Sequence, residues 1–175
     1  LAARQPAARE AVDAAAGIVT ARFTEANVPA AQTSEWSRAE QTWRLLGQAV
    51  NGRTIEQAKN TVQHTQLIAS LLLLNEELLN VYGLQVDPDA DTYALIQASL
   101  VQAPMLGEKL GVLRAQGASA LGARALTPQA KGQLLVVRQR VAELEADTFR
   151  GLERAFQTNP ALRSALDANA QAVRS

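Results

Sequence analysis

QLIASLLLLNEELLNVYGLQVDPDADTYALIQASLVQAPMLGEKLGVLRAQGA, residues 66–118, decides the fold class. In its first half Leu67, Leu71, Leu74, Leu78 and Val81 recur at steps of four, three, four and three. That is one face of an α-helix. Ile68, Leu72 and Leu79 widen the stripe, as in a helix packed against two neighbours. Then comes an acidic turn, Val86-Asp87-Pro88-Asp89-Ala90-Asp91. Asp87 is placed to cap a new helix, Pro88 fits its first position, and Asp89 and Asp91 meet the positive end of its dipole. The second half carries Ile96, Leu100, Ala103, Leu106, Leu110, Leu113 and Gly117 at helical spacing. Pro104 falls inside this pattern and predicts a kink, not an end. Gly107, Gly111, Gly117 and Gly122 are costly in a helix, so their recurrence predicts close approach of a neighbouring helix.

The same periodicity extends outward in both directions. Towards the N-terminus, Val12, Ala16, Val19, Phe23 and Ala26 form a heptad seam. Asn27-Val28-Pro29 interrupts it, because proline disfavours helix at the residue before it. Thr33 or Ser34 can cap the next segment, in which Trp36, Ala39, Trp43, Leu46 and Val50 resume the spacing. Residues 7–27 and 33–50 read as one long, interrupted first helix. Asn51-Gly52 is a stop, with glycine suited to the left-handed position, and Thr54 caps the next helix. Towards the C-terminus, Thr127 caps a helix with Pro128 in its first turn. Leu134, Val137, Val141 and Leu144 carry the seam, followed by Phe149, Leu152 and Phe156. Thr158-Asn159-Pro160 marks another break before an amphipathic end.

Short connections make successive helices antiparallel. The expected architecture is therefore all-α: a single domain over residues 1–175 folded as an up-down-up-down four-helix bundle with long first and last helices. The second and third helices are each expected to span about 50 Å at 1.5 Å per residue.

Composition narrows function by exclusion. Hydrophobic residues make up 47% of the 175-residue chain, enough for a real core, and aromatics only 4%, so that core rests on Leu, Val and Ala. Basic and acidic residues number 17 each, without the basic excess of a nucleic-acid binder. The absence of cysteine removes disulfides, zinc fingers, iron–sulfur clusters and thiol catalysis. No run reaches the length of a membrane span. The chain opens on Leu1, which reads as a fragment of a longer protein.

Few residues carry chemistry. His64 is the only histidine, without the Glu-x-x-His pairs of a di-iron bundle. Asp87, Asp89 and Asp91 open like an EF-hand loop, but Thr92 and Ala98 stand where glycine and glutamate are needed. Tyr82 and Tyr93 flank the acidic turn. Trp36 and Trp43 share one helix face and read as core or interface anchors. Arg38, Arg44, Arg53, Arg138 and Arg140 map toward the end of the bundle away from that turn. Their guanidinium groups suit carboxylate binding, although for any one of them a solvated helix face with local partners is the more common role. No phosphate loop or nucleophile elbow occurs. No enzyme activity, metal or cofactor is expected.

One stretch, residues 80–125, resembles the helical sensor domains of bacterial transmembrane receptors, chiefly methyl-accepting chemotaxis proteins. The matching features are Asp87-Pro88-Asp89 with Asp91-Thr92-Tyr93, the Pro104-x-Leu106 step, and Leu110-Gly111-x-Leu113-Arg114. The resemblance implies a periplasmic four-helix bundle between membrane spans that flank this chain, paired as a homodimer. It implies a chemoreceptor domain that binds a small ligand, such as a carboxylate, and passes on a helix shift. Arg38, Arg44, Thr127 and Arg138 are the expected ligand-binding residues. Similar modules occur in sensor histidine kinases and cyclic-di-nucleotide enzymes. The contrasting reading is a helical interaction or scaffold module that binds a partner protein.

Overall fold

Turn chemistry divides the chain more finely than its heptads do. The computed structural model describes residues 4–174. Its elements are α1 (Arg4–Glu25), α2 (Ala30–Asn51), α3 (Gln57–Val81), a 3₁₀ turn (Leu84–Val86), α4 (Ala90–Ile96), a π-helical turn (Gln97–Gln102), α5 (Ala103–Ala123), α6 (Pro128–Thr158) and α7 (Pro160–Arg174). Since α4, the π turn and α5 run on as one helix of 34 residues, the described residues hold six helices. The expected four-helix bundle with long first and last helices is therefore corrected.

The long first helix fails at Asn27. This residue adopts a left-handed φ of 51°, and the Val28 N–H closes back on the Phe23 carbonyl at 3.1 Å. A helix that ends this way cannot continue through Pro29. It turns back instead. Trp43 Nε1 donates to Asp13 at 2.6 Å, Trp36 Nε1 donates to Thr20 at 2.9 Å, and the Arg9 guanidinium lies over Gly47. Along these contacts α2 numbers rise as α1 numbers fall, so the pair is an antiparallel hairpin. The two tryptophans are the pins of that hairpin. Thr33 and Ser34 do not cap α2, which begins at Ala30. Their hydroxyls donate to carbonyls one turn back.

The last long helix is cut at Asn159, as Thr158-Asn159-Pro160 led one to expect. Asn159 also serves α7, its Oδ1 accepting from the Ala161 N–H at 3.2 Å. The acidic turn is shifted by two residues. Asp87 Oδ1 accepts from the Asp89 N–H at 2.9 Å, a local Asx turn, and α4 starts only at Ala90. Pro104 does not break its helix. A proline ring clashes with the carbonyl four residues back, and the turn ahead of it widens, with the Ala103 N–H reaching the Ala98 carbonyl.

The helices cluster into two compact units, one up to Glu77 and one from Leu78. In the first, Ala39, Leu46 and Leu67 form a buried cluster, with Trp43, Ile55 and Leu71 packed against it. In the second, α6 packs along α4, the π turn and α5, and α7 folds back on α6. Ile96, Ala98, Leu106, Leu144, Ala155 and Phe156 are buried there. The expected close approach at Gly107, Gly111, Gly117 and Gly122 is absent, since a Cβ added at any of the four would meet nothing within 4 Å. The close approach lies at Gly151 instead, where an added Cβ would sit 3.0 Å from Ala98 Cβ.

Candidate functional site

The seams that bury α2 and α3 also dictate what lies beside them. Shifting the α2 seam back by one residue gives Glu35, Arg38, Thr42, Leu45 and Ala49. On α3 the same shift gives Gln66 and Ser70, and continuing the row back by three and four residues adds Gln63 and Lys59. These two rows face each other across a groove of about 840 Å³, floored by Ala39, Leu46 and Leu67 and closed at one end by Thr54, Ile55 and Glu56. All of its lining belongs to the first unit.

The groove is amphipathic. Leu45 stands 58% exposed on its wall. Arg38 is paired with Glu35 at 2.7 Å. Lys59 has no carboxylate partner among the described residues. The middle of the trough is neutral, with Thr42, Gln63 and Gln66. On α2 the row runs from residue 35 to residue 49, or about 21 Å of helix. α1 lies on another face of α2, the one presenting Trp36, Glu40, Trp43 and Gly47, and leaves this row uncovered.

Of the four expected ligand-binding residues, only Arg38 lines this groove. Arg44 is exposed elsewhere on α2. Thr127 is the N-cap of α6, its hydroxyl oxygen accepting from the Ala130 N–H at 3.1 Å. Arg138 is exposed on α6. The first two belong to one compact unit and the last two to the other. Leu45, Lys59, Gln63 and Gln66 were not foreseen. Their signal was the one-residue offset from the seam, visible only once α2 and α3 are known to face each other.

His64 is half-buried. Its Nδ1 lies 3.0 Å from the Asn60 carbonyl and its ring stands edge-on to Trp43, so it serves the packing of α2 on α3. Among the described residues no group of three or more His, Cys, Asp or Glu side chains could hold a metal ion. Nor is any helix among them long and apolar enough to cross a membrane.

Comparison with protein-family models, curated proteins and solved structures gave no match to this chain. The resemblance to chemoreceptor sensor domains is thereby corrected. It required a four-helix bundle, whereas the described residues form six helices, and no relative supports a chemotaxis or receptor identity. The shared features around Asp87 and Pro104 are local turn chemistry that any helical protein can use.

Proposed function

We propose that this chain is a helical interaction module that takes an amphipathic helix of a partner protein into the α2–α3 groove. The observation that carries the reading is the shape of that groove. A trough about four helical turns long, apolar on its floor and at Leu45 and polar along most of its walls, fits a helix better than a compact ligand. The first unit offers three consecutive helices, and a fourth laid in the groove would complete a bundle. Apolar residues of the incoming helix at steps of three and four would cover Ala39, Leu46, Leu67 and Leu45. Neutral polar residues would flank them beside Thr42, Gln63 and Gln66. An acidic residue would face Lys59, since Arg38 already has Glu35.

The test is selection from a display library of amphipathic helical peptides against the whole chain. Enriched peptides are expected to share the three-four apolar spacing and an acidic residue at one end. Leu45→Glu, a change on an exposed wall, should weaken their binding at least tenfold. Ile18→Glu, on the exposed face of α1, should leave it unchanged. Failure to select binders, or binders indifferent to Leu45→Glu, would overturn the reading.

A further inference from the structure

A second concavity lies in the other unit, where α6 crosses α4 and the π turn. It measures about 510 Å³, and its walls include Tyr93, Gln97, Gln102, Asp147, Arg150 and Arg154. Arg150 reaches Asp147 at 3.2 Å, and Arg154 has no carboxylate partner among the described residues. Two guanidinium groups therefore stand against one carboxylate. Gln102 Oε1 is shut off from solvent and accepts no hydrogen bond.

The π turn is what assembles this wall. In a regular α-helix, residues five apart point roughly 140° away from each other. In a turn closed by i→i−5 bonds they come round to the same side, and such turns are frequent at functional sites. Gln97 and Gln102 are five apart at the two ends of the turn, and both line the pocket. Gly151 lets α6 come close enough to Ala98 to form the opposite wall.

We propose that this pocket binds a small oxyanion, a phosphate or carboxylate group, held by Arg150 and Arg154 and oriented by the amides of Gln97 and Gln102. The guanidinium forks match two oxygens of such a group. Rotation of the Gln102 amide toward the ligand would release its oxygen from an unpaired, buried position, which is costly to maintain. The proposal stands independently of the helix-binding groove.

The experiment is an amide-resolved NMR titration of the whole chain with inorganic phosphate and, separately, succinate, each against chloride at equal ionic strength. Saturable shifts confined to residues 90–102 and 147–158 are expected with one of the probes, which names the source of the oxyanion. Arg154→Gln should raise that probe's Kd at least tenfold, in line with loss of a charge-assisted bond. Arg138→Gln, on the same helix but outside the pocket, should not change it. No saturable shift with either probe, or equal effects of the two variants, would overturn the proposal.

Discussion

Single residues at helix ends set much of this architecture. Arg53 holds a left-handed φ of 53° after α2, and the Thr54 N–H bonds back to the Ala49 carbonyl at 2.9 Å. The sequence points to Gly52 for that conformation, yet Gly52 is right-handed with φ −76°. The helix runs one residue further than the Asn-Gly signal implies. A side chain in the left-handed region costs roughly 1–2 kcal/mol, of which glycine's greater freedom in the unfolded chain returns a part. Arg53→Gly should therefore stabilise the protein by about 0.5–1 kcal/mol, read as a higher urea midpoint at unchanged slope. A lower midpoint would show that the arginine side chain contributes more there than its backbone costs.

Asp91 offers a pH-dependent counterpart. Asn159 Nδ2 donates to its carboxylate at 2.9 Å. That bond first, and the Thr92 backbone N–H second, hold the Asp91 carboxyl below the usual aspartate value. A depressed pKa means that the stabilisation is whole above the unfolded-state value of about 4. It is lost as pH falls through the lower folded-state value. Wild type should therefore lose more stability than Asp91→Asn between pH 5 and the acid side of that window. Parallel pH profiles for the two proteins would remove Asn159 as the cause.

At the scale of elements, spacing is a good guide to buried faces and a poor guide to neighbours. The α6 seam holds: Leu134, Val137 and Val141 are half-buried and Leu144 is buried. The α5 glycines mislead, because small residues permit a close crossing without creating one. The actual crossing brings Gly151 against Ala98, which is wholly buried. The two kinds of glycine should respond oppositely to alanine. Gly107→Ala meets open space and gains helix propensity, a stabilisation of about 0.8–1 kcal/mol. Gly151→Ala forces a methyl to 3.0 Å from Ala98 Cβ and should destabilise by roughly 1–3 kcal/mol. Thermal denaturation of the pair checks this, and equal shifts would contradict the packing described for α6.

At the scale of the molecule, each compact unit has buried apolar residues of its own. Leu46 is buried in the first and Leu144 in the second. Truncating either to alanine should cost about 2–5 kcal/mol. Native-state hydrogen exchange should place the loss locally. Leu46→Ala is expected to speed exchange in α2 and α3, and Leu144→Ala in α4, the π turn and α6. Uniform acceleration along the chain from either variant would mean that the two units unfold as one.

The sequence by itself determined that the chain is helical and which face of each helix is apolar, because a period of three to four residues is a local property of one helix. It also marked interruptions at Asn27–Pro29 and Thr158–Pro160, since proline acts on the nearest turn alone, but not that a separate helix follows each of them. Only the tertiary structure decided that α1 doubles back on α2, since the direction of a chain after a break depends on which surfaces then bury each other. The same is true of both candidate sites. The groove exists because α2 and α3 pack through their seam residues and leave the rows one residue off those seams facing each other. The second pocket exists because a π turn swings Gln97 and Gln102 to one side, a rotation of the backbone that no residue spacing records.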